Sequence, residues 1–264
     1  PLTGALMRSI GIARTFQVIG AAALVLLTAL SRLIANPPKG YRALRVTPAA
    51  DTDGTTVRAE PVAAAGPDDM LRTGNFYKMW VMFALSSAAS TMIISLAATI
   101  AKVQAGWEGG LVLVILLAVF NAAGRTLGGM LSDRIGRPWT MRLAFALLAA
   151  NMLLFSLYTS PPLLMIGAAV TGLCYGTGMV VFSASTADLY GLKSFGANYG
   201  LVYTAWGAGA VLALNGAVLY DTTKSFHAGY LAAAGLALCA LVISLTFRMR
   251  GSSARASGGA RPLA

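Results

Sequence analysis

The chain has 264 residues, of which 57% are hydrophobic and only 11% are charged. A soluble domain carries about 25% charged residues, so the composition argues against a soluble protein and indicates a membrane protein. The net charge of +11 does not indicate a nucleic-acid-binding protein, because the basic residues lie between apolar runs and form no stripe interleaved with aromatic residues.

Seven apolar runs follow one another along the chain, each close to the ~20 residues that a helix needs to cross a bilayer. Leu, Ala, Met and Gly dominate them without a period-two alternation, which favours helices over the strands of a barrel. The fold class that we predict is an all-α membrane protein with about seven transmembrane helices. The runs occupy residues 13–34, 77–101, 109–131, 140–158, 163–188, 196–219 and 228–247.

A polar stretch at 36–76 separates the first run from the other six. It is rich in Ala, Thr, Asp, Gly and Pro and has few large apolar residues, so we expect a central linker that is largely disordered. A tail of similar composition at 249–264 is expected to be disordered as well. The predicted organisation is therefore one helix in 1–35, the linker, a six-helix domain in 77–248 and the tail.

The distribution of lysine and arginine predicts the orientation. If the linker is cytoplasmic, 15 of these residues fall inside, 4 fall outside, and Arg125 lies within a run. This bias agrees with the positive-inside rule at every short loop. We therefore expect a multi-pass protein of the inner (plasma) membrane whose C-terminus is cytoplasmic.

Arg125 lies inside the third apolar run, where an ionised side chain costs at least a few kcal/mol unless it faces an aqueous cavity or a partner charge. Asn121, Gly124 and Gly128 share its helix face by spacing. The two glycines form a pair that lets a neighbouring helix approach closely. A guanidinium binds a carboxylate in a bidentate manner, so we predict an anion site with Asn121 beside the arginine. The alternative is a structural arginine that snorkels to the inner interface.

The charged turn after this run, GMLSDRIGR at 129–137, resembles the cytoplasmic loop motif of the major facilitator superfamily. In that family the motif recurs between helices 2 and 3 and between helices 8 and 9. The resemblance implies that the chain is the C-terminal portion of a twelve-helix transporter, helices 6 to 12. An N-terminal half that holds helices 1 to 5 would be its partner.

By analogy with the family, the turn latches one conformation of the transport cycle. We expect Asp133 to meet the positive end of a neighbouring helix and Gly136 to permit the tight turn. The arginines are expected to pair with acids across the interface between the two halves. The alternative is a solvated basic loop that only sets topology. The latch residues are Gly129, Asp133, Arg134, Gly136 and Arg137.

Further segments are similar to the oxalate/formate antiporter branch of this family: PPKGY at 37–41, MLRT at 70–73, FNAAGR at 120–125 and GANYG at 196–200. The resemblance implies that Arg125 binds a substrate carboxylate and that Tyr175 lines the pocket. Ordinary helix packing is an equally good interpretation of each aromatic residue.

One departure from the branch concerns Trp206, which occupies the position of a second substrate-binding cation, a lysine. One arginine compensates one negative charge, and tryptophan adds an apolar wall with a single N–H donor. We therefore predict a monocarboxylate such as formate, pyruvate or another short keto or hydroxy acid. Tyr203 lies one turn before Trp206 and is expected to share its face.

The acidic residues all fall in loops or near helix ends, so no carboxylate proton relay is visible and we expect exchange or uniport. An enzyme is not predicted, because the sequence shows no nucleophile–base pair, and neither a cofactor nor a metal site is expected. The rival interpretations are a non-transporting membrane sensor or partner half, and a truncated remnant of a transporter.

Overall fold

The computed structural model describes residues 6–7, 9–33 and 65–249. This part of the chain is almost entirely helical and contains no strand. The chain divides into two compact units, Pro1–Ala59 and Glu60–Ala264, and the first run of the sequence lies in the first of them. The predicted disorder at 36–64 and 250–264 falls outside the described residues.

Seven of the described helices are long and apolar enough to cross a membrane, which confirms the predicted fold class. One additional short helix precedes the six-helix part. The helices are α1 (Ile12–Ser31), α2 (Pro67–Leu71), α3 (Gly74–Ala105), α4 (Gly110–Ile135), α5 (Arg137–Leu154), α6 (Pro161–Tyr190), α7 (Phe195–Thr223) and α8 (His227–Thr246). A 3₁₀ turn, Phe155–Leu157, continues α5.

The end of the predicted linker, residues 65–76, forms the short helix α2 and the start of α3. The α2 helix places Met70 in the core with no exposed surface. The N–H of Ala65 donates to the carbonyl oxygen of Tyr190 at 3.2 Å. The Thr73 hydroxyl bonds the Tyr190 hydroxyl at 2.8 Å and accepts from the Phe76 N–H at the start of α3. A buried methionine and a helix cap stabilise this stretch. The average composition of the linker gives no sign of either, because each is a single residue in a long polar segment.

Helices that are neighbours in space are mostly not neighbours in sequence. The α4 helix packs most extensively on α6, α3 on α7, and α5 on α8. Large apolar side chains fill the bundle in two clusters, one around Met92, Leu148 and Phe155 and one around Phe83, Phe145 and Phe182. In the second cluster the rings of Phe83 and Phe182 stack with their centroids 4.6 Å apart.

Glycines bring α4 and α6 into backbone contact. A β-carbon on Gly172 of α6 would lie 2.6 Å from the Leu117 carbonyl oxygen, and one on Gly128 of α4 would lie 2.5 Å from the Thr177 hydroxyl. Gly124 meets the Leu173 carbonyl even more closely. The predicted close approach at Gly124 and Gly128 is therefore present, and α6 is the helix that makes it.

A candidate anion site and a charged turn

Arg125 lies well inside α4, and its side chain is exposed in the six-helix unit. Its Nε donates to Asn121 Oδ1 at 3.4 Å, so these two predicted residues are adjacent across one helical turn. None of the ion pairs in the described part of the chain involves Arg125. The guanidinium thus retains N–H donors and a full charge for an anion.

Contact with α6 fixes the position of Asn121. Gly176 packs directly on the Asn121 backbone carbonyl, and a β-carbon on Gly176 would lie 3.0 Å from Asn121 Oδ1. The Asn121–Arg125 pair therefore borders the part of α6 that carries Tyr175.

An aromatic wall, defined as Tyr175, Tyr199, Tyr203 and Trp206, stands beside this pair. Trp206 Nε1 donates to the Tyr175 hydroxyl at 2.5 Å. The Tyr203 and Trp206 rings stack with centroids 5.8 Å apart, and Tyr199 and Tyr203 are 5.7 Å apart. The structure thus brings the three predicted aromatic residues together.

Tyr199 is the member of the wall that sequence reasoning missed as a site residue. In the sequence, Tyr199 stands out only as part of the 196–200 segment. The available signal was its spacing of four residues before Tyr203, which places both side chains on one face of a helix. Phe195 lies four residues before Tyr199 on the same helix face, and the two rings stack with centroids 5.6 Å apart.

The charged turn is organised around Arg137, the first residue of α5. Its Nη1 donates to Ser132 Oγ at 2.6 Å and to Asp133 Oδ1 at 2.5 Å. Its Nε donates to Asp188 Oδ2 at 2.9 Å, near the end of α6. Gly136 permits this arrangement through a φ of +88°, which residues with a β-carbon rarely adopt.

The pairing of the arginines with acids across the interface between two halves stays a prediction. Arg137 finds both acidic partners within this chain, because the packing of α4 on α6 brings Asp188 to the turn. The recorded contact of Asp133 is with the side chain of Arg137, the first residue of α5, the next helix in sequence. Arg134 is exposed, and Gly129 contacts Val180 of α6 at an ordinary distance.

Residues 74–263 match the family model described as Major Facilitator Superfamily, which is well over half of the chain. The chain is 24% identical over 210 residues to the uncharacterized MFS-type transporter YhjX of Escherichia coli (strain K12), covering 78% of this chain and 49% of that protein. It is 25% identical over 163 residues to the oxalate:formate antiporter of Oxalobacter formigenes, covering 56% of this chain and 38% of that protein.

A third relative, the uncharacterized 38 kDa protein in 23S RNA operon of Thermoproteus tenax, is 29% identical over 169 residues, which cover 63% of this chain and 43% of that protein. The chain spans about half the length, or less, of the curated relatives that it matches. With seven helices able to span a bilayer, it is a multi-pass membrane protein.

Proposed function

Because this chain belongs to the Major Facilitator Superfamily, we propose that it takes part in moving a small organic anion across the membrane. The observation that carries the proposal is Arg125, a permanent charge well inside α4 that has no carboxylate partner among the described residues. Such a charge is costly in hydrocarbon and is retained where an aqueous pathway or a ligand compensates it.

The proposed ligand is a monocarboxylate. Arg125 supplies one positive charge, which balances one carboxylate and leaves a second carboxylate of a dicarboxylate uncompensated. Trp206, a member of the aromatic wall, is neutral and adds no second positive charge. Similarity to a protein named for oxalate and formate supports a small carboxylate, and the single cation favours the monovalent member of such a pair.

The proposed mode is alternating access by exchange or uniport, with no enzymatic step. The acidic residues that the structure describes lie in loops, in α2 or within a few residues of helix ends, as Asp133, Asp188 and Asp221 show. None occupies the middle of a span, where a proton relay would need it. A ligand site between two halves is the usual arrangement for such folds, so we propose an N-terminal half as the partner of this part.

We further propose that the charged turn acts as the conformational latch, with Gly129, Asp133, Arg134, Gly136 and Arg137 as its residues. The bonds of Arg137 support a rigid connection between the ends of α4 and α6 and the start of α5. The turn, the linker and the C-terminus would be cytoplasmic, in the inner membrane, as the charge bias predicts.

Uptake by the native polypeptide in proteoliposomes tests the function. Arg125→Gln is expected to lower formate or pyruvate uptake by at least about tenfold, because a charge-assisted bidentate contact is lost. Lys193→Gln removes one charge from the exposed loop between α6 and α7 and is the matched control. Oxalate uptake that exceeds every monocarboxylate would contradict the proposed ligand. Binding without flux would favour a sensor.

A further inference from the structure

Two cationic side chains meet at the C-terminal end of α8. Lys78 of α3 donates from Nζ to the carbonyl oxygen of Thr246 at 3.0 Å. Arg142 of α5 donates from Nε and Nη2 to the carbonyl oxygen of Ser244 at 3.4 and 3.3 Å. Both carbonyls belong to the last turn of α8. The fold therefore brings two positive charges, from helices that are not consecutive in the chain, to one edge of the bundle.

These bonds leave most of the positive charge at this edge uncompensated. The end of a helix carries the equivalent of roughly half a negative charge, whereas the two side chains carry two full positive charges. None of the ion pairs among the described residues involves Lys78 or Arg142. In the same part of the chain, no bond occupies Arg142 Nη1, and Lys78 uses one of its three N–H donors. Both side chains therefore have donors to offer an anion while they cap α8.

An aromatic ring and exposed apolar side chains border the two cations. The Arg142 guanidinium lies 4.8 Å from the ring centroid of Trp139, which is 62% exposed. Leu143 follows Arg142 on α5, Leu245 follows Ser244 on α8, and both leucines are exposed. Tryptophan is enriched where a bilayer meets water, and exposed apolar residues of a transmembrane bundle suit acyl chains. The edge thus combines a polar end for a headgroup with an apolar surface for a tail.

We propose that this cationic edge, defined as Lys78, Trp139 and Arg142, binds an anionic phospholipid. The phosphate of the headgroup would balance the charge of Lys78 and Arg142, and an acyl chain would cover the exposed leucines of α5 and α8. A small soluble anion would leave that apolar surface uncovered, so charge and shape together select a lipid. None of these residues belongs to the candidate anion site, so the proposal does not depend on the transported ligand.

Lipid binding to the native polypeptide in detergent tests the proposal, with phosphatidylglycerol and phosphatidylcholine of identical acyl chains as probes. Native mass spectrometry measures the affinity for each lipid. Because each lysine or arginine near an anionic headgroup strengthens binding by about fivefold, phosphatidylglycerol is expected to bind at least about tenfold more tightly. Equal affinities would overturn the proposal. Displacement of phosphatidylglycerol by millimolar inorganic phosphate would also overturn it, since the site would then recognise a free anion.

Variants that remove one charge test whether the preference arises at this edge. Arg142→Gln and Lys78→Gln are each expected to lower the preference for phosphatidylglycerol by about threefold or more. Lys193→Gln, in the exposed loop between α6 and α7 at the same end of the bundle, removes an equal charge and is expected to leave the preference unchanged. An unchanged preference in both Arg142→Gln and Lys78→Gln would overturn the proposal.

A charge-conserving variant separates lipid binding from the capping of α8. Arg142→Lys keeps the charge but loses the paired bonds to the Ser244 carbonyl, so we expect a lower unfolding temperature with most of the lipid preference retained. A purely structural role predicts that Arg142→Gln lowers stability without changing the preference. If Arg142→Lys loses the preference as completely as Arg142→Gln, the cap and not the charge controls lipid binding, and the proposal fails.

Fluorescence gives a second test of position. Brominated phosphatidylglycerol is expected to quench Trp139, measured as the part of the tryptophan emission that Trp139→Phe removes, more strongly than brominated phosphatidylcholine does at the same concentration. This readout depends on the place of the lipid and not on the stability of the protein. Equal quenching of Trp139 by the two lipids would overturn the assignment of the site.

Discussion

At the scale of single residues, Arg137 shows what a guanidinium can do that an ammonium cannot. Its planar fork reaches Ser132 and Asp133 through one nitrogen and Asp188 through another. The side chain of Arg137 is only 19% exposed, whereas that of Asp188 is 45% exposed, so water screens the pair in part. The geometry, more than the charge alone, makes the residue specific for this turn.

We expect Arg137→Lys to destabilise the protein almost as much as Arg137→Gln, because one ammonium cannot reach all three acceptors. A double-mutant cycle with Asp188→Asn should give a coupling energy of about 0.5–1 kcal/mol, discounted for exposure. The measurement is thermal unfolding in detergent. The Arg137–Asp133 cycle should give less, since Asp133 is 67% exposed. Full retention of stability in Arg137→Lys would refute this account.

The sequence predicted some features of the charged turn and not others. Gly136 was predicted to make a tight turn because few other residues tolerate a positive φ. Asp188 was not predicted as a partner, because it is 51 residues from Arg137 and only the packing of two helices brings them together. Similarly, the neighbours of Arg125 on its own helix were predictable by spacing, whereas the Tyr175–Trp206 bond joins two helices.

At the scale of elements, the contact of α4 with α6 depends on the absence of side chains. We expect Gly176→Ala to destabilise the protein by about 1–3 kcal/mol, because the new methyl group would overlap the Asn121 carbonyl. It should also weaken uptake by displacing Asn121 and Arg125. Gly235→Ala in α8 is the control: nothing lies within 4 Å of its β-carbon position, and helix propensity predicts a small stabilisation. Equal unfolding midpoints for the two variants would contradict the packing argument.

The existence of the seven long helices was predictable because the thickness of hydrocarbon dictates the length of an apolar run. The exact ends of these helices were less predictable. The α3 helix begins at Gly74 and ends at Ala105, beyond the predicted 77–101, because a Thr73 cap and a left-handed Gly106 determine its ends. Which helices pair could not be predicted from hydropathy, since every apolar face suits lipid and protein alike.

At the scale of the whole molecule, the charge bias predicts one orientation. In a background without Cys174 and Cys239, Lys193→Cys in the loop between α6 and α7 should react with a membrane-impermeant maleimide only after permeabilisation. Ser225→Cys in the loop between α7 and α8 should react in intact cells. Both sites are exposed, so labelling reports sidedness and not burial. The opposite pattern would reverse the topology and place the charged turn outside.

The pairing of α4 with α6 also implies a delay during synthesis, because α4 is made before the helix on which it packs. From the end of α4 at Ile135 to the end of α6 at Tyr190, 55 more residues must be made. At about 5–20 residues per second, that takes roughly 3–11 s. During this interval α4, with its charged Arg125, lies in the insertion machinery or in lipid. The surface of α6 on which α4 packs has not yet been made. Retention of α4 in the membrane is therefore the step of biogenesis most prone to error. Insertion factors that shield a charged helix would act at this step.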